Sequence, residues 1–465
     1  MADLAKIIKA YDIRGVVPDE LNENVAEAVG AAFVRLTGAG KIVTTHDMRT
    51  SSGPLTAAFG RGATSQGADV IDGGLGSTDM LYYASGTLGI PGAMVTASHN
   101  PARYNGVKLC REGAKPVGQE TGLAELRAMI EAGVPASAAP PGRRTRQDLL
   151  SGYAEHLKKL VDVSAIRPLK VAVDAGNGMA GYTVPKVFDG LPIDLVPMYF
   201  ELDGTFPHHE ANPIDPENLR DLQRVVTETR ADIGLAFDGD ADRCFVVDER
   251  GEIVSPSVLT ALIAVRELAR EPGAAVIHNL ITSRAVPEII AENGGTPVRT
   301  RVGHSFIKAE MARTGAIFGG EHSGHFYFRD FWFADSGMLA ALHVLAALGH
   351  QDGPLSRLLD HYARYAASGE VNSEVADQAE ATARVRDAFA GRPGATTDEL
   401  DGLTVLAADW WFNLRPSNTE PLLRLNVEAT EAATMESVRD EVLGIARGAG
   451  AWPRSARPHR TNRQT

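Results

Sequence analysis

Leu169-Lys-Val-Ala-Val-Asp174 is an apolar, strand-like run that breaks at once into the tight small-residue loop Ala175-Gly-Asn-Gly178. A helical stretch and then Ile193-Asp-Leu-Val196 complete the unit, so residues 169–196 read as strand, loop, helix, strand. The same order occurs on either side of it. Lys41-Ile-Val-Thr-Thr-His46 leads through a polar stretch ending at Gly53 and a helix-like run to Gly67 into Ala68-Asp-Val-Ile71. Ala275-Val-Ile-His278 leads through Thr282-Ser283 and a helix closing at Asn293-Gly-Gly295 into Pro297-Val298. Such alternation predicts α/β layering. The starts near Lys41, Lys170 and Ala274 are spaced like whole domains, well beyond the roughly 20–50 residues of a solenoid repeat. The expectation is therefore three related α/β domains with mixed sheets.

The remaining sequence sets the boundaries. Glu131-Ala-Gly-Val-Pro-Ala-Ser-Ala-Ala-Pro-Pro-Gly142 has no periodicity, and helical patterning resumes at Asp148. Further breaks fall near Asp248-Glu-Arg-Gly251 and Ala366-Ala-Ser-Gly369. The predicted domains are residues 1–145, 146–250, 251–367 and 368–452. In the last, Gly402–Leu406, Trp410–Leu414 and Leu422–Glu428 read as antiparallel strands, followed by a helix over Thr434–Arg447, which makes a C-terminal α+β domain. The tail 453–465 carries Arg454, Arg457, Arg460 and Arg463 with few apolar residues and is expected to be disordered.

Composition narrows the function classes. The 465 residues are 44 % hydrophobic and 23 % charged, which excludes a disordered or fibrous chain. The net charge of −13 argues against nucleic acid as a partner, and it requires that any anionic substrate meet a local cluster of basic groups. Cys110 and Cys244 are widely spaced, as in reduced cytosolic thiols. The N-terminus has no apolar signal core, and the longest apolar run, Met338–Leu348, is far shorter than the ~18 residues of a membrane span. A soluble, cytoplasmic protein with no membrane partner is expected.

Four segments carry candidate chemistry. In Thr96-Ala-Ser-His-Asn-Pro101, after the strand-like Ala93-Met-Val95, Ser98 beside His99 could be a nucleophile or phosphate acceptor; the same residues also make an ordinary turn. No G-x-S-x-G surrounds Ser98, which argues against a hydrolase elbow. Asp238-Gly-Asp-Ala-Asp-Arg243 lies between two strand-like runs. Its three carboxylates would repel one another unless a cation joined them, and an all-oxygen set selects Mg²⁺ or Ca²⁺. The alternative is an EF-hand-like Ca²⁺ loop, but Arg243 stands where that loop needs glycine and strands flank it, which favours a catalytic Mg²⁺ site. Arg243 could hold the loop or contact a phosphate.

Gly319-Gly-Glu-His-Ser-Gly-His325 gathers Glu321, His322, Ser323 and His325 into a set suited to a polyhydroxylated ligand, or into a glycine-rich turn. No third soft ligand lies nearby for zinc. Arg415-Pro-Ser-Asn-Thr-Glu420 offers Arg415, Ser417, Asn418 and Thr419 as a phosphate nest, or a β-turn. Arg14 and Lys108 add basic groups to the first domain. No Walker A or G-x-G-x-x-G follows a strand.

With one such segment per domain, in this order, the chain resembles the α-D-phosphohexomutase superfamily, and its phosphomannomutase/phosphoglucomutase branch in particular. The resemblance implies four domains around a central cleft, with Ser98 as phosphoserine and Asp238, Asp240 and Asp242 joining it on Mg²⁺. It implies that Glu321, His322 and Ser323 select sugar hydroxyls and that Arg415, Ser417, Asn418 and Thr419 hold the unreacting phosphate. Tyr11, Arg14, His99, Lys108, Arg243, His304 and His325 match positions that line the site.

The implied activity is that of an isomerase interconverting mannose 6-phosphate and mannose 1-phosphate through a hexose 1,6-bisphosphate, by a monomer or weak dimer. Glucose phosphates are the alternative substrates. A catalytically silent phosphosugar- or Ca²⁺-binding protein is the alternative of another class. Two departures bear on specificity: Leu280 stands where relatives often carry lysine, with Arg284 as a possible substitute, and Glu420 adds a charge to the phosphate segment.

Overall fold

The computed structural model describes residues 3–8, 11–164, 166–417 and 422–448, without the side chains of His304 and Ser305. The segment 453–465 and the phosphate-segment residues Asn418 and Thr419 lie outside this range. The chain divides into two compact units, Met1–Ala363 and Arg364–Thr465.

Three sheets of the first unit share one topology. In the first, Lys41–His46 is flanked in parallel by Asp69–Leu75 and Gly92–Val95, and Gly92–Val95 turns back into antiparallel Tyr104–Arg111. In the second, Leu169–Asp174 lies parallel to Ile193–Met198 and Ile233–Phe237, and the latter turns back into Cys244–Asp248. In the third, Ala275–Asn279 lies parallel to Thr296–Thr300 and Phe318–Gly320, and the latter turns back into Phe326–Phe328. Each sheet is mixed, with helices as its crossovers. The hairpin between third and fourth strands carries Ser98 in the first sheet, the three aspartates in the second and Glu321–His325 in the third. The three candidate loops are thus topologically equivalent.

One expected break, at 145/146, falls inside a hydrogen-bonded strand, whereas the one near Asp248–Gly251 falls in the turn between Cys244–Asp248 and Ile253–Val254. Arg144–Arg146 pairs with Asp69–Leu75 as part of the first sheet, and Ile253–Val254 extends the second sheet past Gly251.

Capped helices place two groups behind these loops. The Ser77 hydroxyl accepts from the Met80 N–H and starts the helix Thr78–Leu88, which Gly89 ends in a left-handed turn at φ +65°. Ser336 caps the buried helix Gly337–Gly349 in the same way, accepting from the Leu339 N–H at 3.0 Å. The buried Asp79 carboxylate gathers hydroxyls from all three domains: Ser77, Tyr153 at 2.7 Å and Ser336 at 2.6 Å. Above it Trp332 stacks on His156 at 5.1 Å and 17°. A side chain at position 86 would put its Cβ 2.2 Å from the Trp332 ring, so only Gly86 leaves room for it. Trp332 and Phe333 both hold φ +57°, a conformation that costs bulky residues energy and persists here because the ring is wedged between domains.

The second unit is an antiparallel sheet in the order Ala366–Glu374, Leu422–Ala429, Trp410–Pro416, Leu403–Leu406, Thr396–Asp398. Helices Gln378–Phe389 and Ala432–Arg447 contribute buried residues to its core. The expected break at Ala366–Gly369 is in fact the start of its edge strand. No helix among the described residues is long and apolar enough to cross a membrane.

Candidate active site

Ser98 lies on the first hairpin with φ +50°, and its N–H donates to Thr96 Oγ1 at 2.9 Å. This left-handed turn points the hydroxyl out of the first domain into the second: Ser98 Oγ donates to Asp238 Oδ2 at 2.7 Å. The two loops touch through Gly239, where a Cβ would come within 2.5 Å of the Ser98 carbonyl oxygen. His99 Nδ1 stands 3.3 Å from Ser98 Oγ. Burial, together with Arg243 and Arg14, holds this imidazole far below its ordinary pKa, so it is neutral at pH 7.

Asp238, Asp240 and Asp242 are buried together. Asp240 Oδ2 accepts from Thr78 Oγ1 at 2.6 Å and from Lys108 Nζ at 2.7 Å, and Lys108 also reaches Asp242 Oδ2 at 2.6 Å. Burial and the adjacent carboxylates push Asp238 up, while burial and Asp240 push Asp242 up to about 6. Burial acts the same way on Asp240, but Lys108 outweighs it and holds that group below the usual carboxylate range. Lys108 would itself lose its proton more easily on burial, yet the two carboxylates hold its pKa above the ordinary value.

The donor set fits a hard divalent cation. One oxygen from each of the three aspartates can lie within 4.8 Å of the other two. The Oδ1 atoms of Asp240 and Asp242 are buried and accept no hydrogen bond among the described residues. Lys108 and Arg243 also leave one of the three carboxylate charges unbalanced. In a second group, Asp242, His325 and Asp335, the last two members are already engaged by neighbouring cations. Arg243 Nε donates to His325 Nε2 at 3.2 Å, and Lys308 pairs with Asp335 at 2.6 Å.

The third hairpin abuts the second. Arg243 and His325 form a backbone bridge, and the Cys244 N–H donates to the Gly324 carbonyl at 3.1 Å. Glu321 is buried and accepts from Tyr327 OH at 2.7 Å, from the Gly303 N–H at 3.3 Å and from Ser323 Oγ at 3.4 Å. Burial raises its pKa. Ser323 Oγ lies 2.8 Å from His325 Nδ1. Since Nε2 accepts from Arg243, the proton of a neutral His325 sits on Nδ1. His322 is only partly buried.

Arg14 bonds Asn100 of the Ser98 loop and Asp12. The Tyr11 hydroxyl approaches Gly303. Leu280 is buried, and Arg284 pairs with Glu288 at 3.4 Å.

In the second unit, Arg415 pairs with Glu370 at 3.3 Å, and Arg424, its cross-strand neighbour, reaches the same carboxylate at 3.1 Å. The Ser417 N–H closes the hairpin on the Leu422 carbonyl at 2.8 Å.

Motif reading missed Arg49, Thr78, Tyr327 and Glu370, which hold named site residues or their loops, and the Lys308–Asp335 pair, whose carboxylate lies 3.9 Å from His325 Nε2. Only Thr78 had a local signal, the Ser77 helix cap.

Four phosphoglucomutase/phosphomannomutase family models together match most of the chain. Residues 5–134, 151–251 and 256–365 match alpha/beta/alpha domains I, II and III, and residues 370–445 match the C-terminal domain. The chain is similar to a phosphomannomutase of Escherichia coli, 40 % identical over 449 residues that cover 94 % of this chain and 98 % of the relative. It is also similar to the phosphohexose mutases of Xanthomonas campestris pv. campestris, at 41 % over 443 residues, 95 % and 99 % of the two chains. Among solved structures, a phosphoglucomutase/phosphomannomutase family protein of Burkholderia thailandensis superposes with a TM-score of 0.87 at 34 % identity. That match covers 96 % of this chain and 98 % of the other.

Proposed function

Because this chain belongs to the phosphoglucomutase/phosphomannomutase family and is a phosphohexomutase, an isomerase of hexose phosphates, we propose that it interconverts mannose 6-phosphate and mannose 1-phosphate through phospho-Ser98. The observation that carries this reading is the Ser98 hydroxyl, buried and bonded at 2.7 Å to a carboxylate of an all-oxygen cation site.

In the first half-reaction, the P–O bond to Ser98 Oγ breaks as a new one forms to the free hydroxyl of the hexose monophosphate, giving a hexose 1,6-bisphosphate. The hydroxyl proton passes to a base, and Ser98 Oγ regains one. The bisphosphate then turns over and the steps run in reverse, its other phosphoryl returning to Ser98. Arg14, Lys108 and Arg243 offset charge on the transferring oxygens. His99, neutral and next to Ser98 Oγ, handles the proton at the serine. His325, with Lys108 assisting, is the candidate at the sugar.

Mg²⁺ held by Asp238, Asp240, Asp242 and phospho-Ser98 would supply electrostatic activation of the leaving group. Glu321, His322 and Ser323 select sugar hydroxyls, Tyr11 and His304 line the sugar, and Arg415, Ser417, Asn418 and Thr419 grip the phosphate at rest. The enzyme works in the cytoplasm as a monomer or weak dimer, with the domains matched over residues 5–134, 151–251, 256–365 and 370–445 supplying nucleophile, cation site, sugar loop and phosphate clamp.

Intact-mass analysis after incubation with glucose 1,6-bisphosphate tests the mechanism. A single phosphoryl adduct is expected, and an adduct that survives Ser98→Ala overturns it. Parallel kcat/KM measurements on mannose 1-phosphate and glucose 1-phosphate test the specificity. The relatives named phosphohexose mutases favour dual use as the second reading, which equal values would support.

A further inference from the structure

We infer that Arg49, which touches neither the reacting groups nor the cation site, is the positioning residue that holds the Ser98 loop in its working conformation. The inference rests on the reading of Ser98 as nucleophile.

Arg49 is buried, and its guanidinium has five N–H groups and meets five acceptors. Nη2 donates to the carbonyls of Ser98 at 2.9 Å and Asn100 at 2.6 Å. Nη1 donates to the carbonyls of Pro101 at 2.9 Å and Tyr104 at 3.1 Å. Nε donates to Asp47 Oδ2 at 3.2 Å. Four carbonyls of a seven-residue stretch, Ser98 to Tyr104, thus converge on one cation. That convergence closes the loop and compensates the positive φ of Ser98, which a non-glycine residue adopts only under constraint.

The cation is fixed from behind and from above. Asp47 accepts from Ser52 Oγ at 2.5 Å and from the Arg49 N–H at 3.0 Å, and its own N–H donates to the Val95 carbonyl at the end of the preceding strand. Phe206, from the second domain, covers the guanidinium with its ring centre 5.0 Å from Cζ. Beside it, Gly204 lies so close that a Cβ there would come within 2.5 Å of Arg49 Cα. Arg49 therefore sets the Ser98 loop against the domain that carries the three aspartates. Lysine, a point charge with three donors, cannot reproduce this fork.

The test is a rapid-quench measurement of Ser98 phosphorylation. Dephosphorylated enzyme is mixed with Mg²⁺ and glucose 1,6-bisphosphate and read by intact mass, beside steady-state kcat and KM. For Arg49→Lys we expect full adduct stoichiometry formed about 50-fold more slowly, with KM for hexose phosphate within about 3-fold of wild type. Phe206→Leu keeps all five hydrogen bonds and should slow phosphorylation about 3-fold to 10-fold at full stoichiometry. It decides the matter if Arg49→Lys does not fold.

A wild-type rate constant overturns the inference, and so does a reduced stoichiometry formed at the wild-type rate, since that marks a purely structural role. Failure of the underlying reading looks different: wild-type enzyme would then acquire no adduct, or one that persists in Ser98→Ala.

Discussion

The hairpins bearing Ser98 and the aspartates and the hairpin bearing Glu321–His325 occupy equivalent places in their sheets, yet they are finished in opposite ways. On the reacting side, Ser98, Asp238, Asp240 and Asp242 are at most 2 % exposed, and their loops are tied by Arg49, Thr78, Lys108 and Gly239. On the sugar side Glu321 is buried, while His322, Ser323 and His325 keep part of their surface in solvent. One topology thus supplies a closed centre, where the buried oxygens that accept no hydrogen bond among the described residues are those set aside for a cation, and an open rim, where hydroxyl-reading groups remain accessible. Substitutions on the closed side should remove chemistry, and those on the rim should redistribute preference among sugars.

Ser98→Ala offers the sharpest test of that contrast and should lower kcat by ~10⁴-fold or more with little change in fold, as read by steady-state kinetics and circular dichroism. Asp240→Asn comes next. It removes the carboxylate that Lys108 and Thr78 share, and should cost about 10²–10³-fold in kcat and shift the Mg²⁺ activation curve to higher concentration. Chelation should likewise abolish turnover, with Mg²⁺ restoring it far better than Ca²⁺. Full activity in excess chelator would place the cation site outside the reaction.

The third test addresses the junction behind the closed side. Burial pushes the Asp79 carboxyl from 3.8 up to about 6, against its three hydroxyl donors and with Asp242 adding to the rise. The unfolded chain ionises first, so this group's contribution to stability is complete below pH ~4 and is lost as pH rises through ~6. Asp79→Asn should remove that dependence and gain on wild type by roughly 1–3 kcal/mol between pH 4.5 and 7.5, measured by denaturant unfolding.

The smallest effect belongs to the rim. Ser323→Ala interrupts the link from His325 to Glu321, and should change kcat/KM by about 3-fold to 10-fold, unequally for mannose and glucose phosphates. A loss as large as that of Asp240→Asn would erase the distinction between the two sides.

The repeated strand–loop–helix–strand units and the four motif segments were legible because their signals are local: apolar runs, punctuating glycines, and carboxylates packed into six residues. What the loops lean on was not legible. Arg49 lies 49 residues before Ser98, Thr78 lies 162 before Asp240, and Asp79 meets Ser336 across 257 residues. No short window contains both members of such a pair. The edge strand Ala366–Glu374 was missed for another reason. Half-exposed, bulged between Ala367 and Glu370, and opening on Ala-Ala-Ser-Gly, it has the composition of a linker and becomes a strand only by pairing with Leu422–Ala429.

Trp332, wedged over Gly86 and stacked on His156, is the one tryptophan among residues 1–363; Trp410, Trp411 and Trp452 come later in the chain. Nature has thereby installed an optical probe at the meeting point of three domains. With the three later tryptophans replaced by phenylalanine, ultraviolet emission would come from that wedge alone. Its wavelength and quenching would then follow, without any label, whether the first unit stays locked or loosens during turnover.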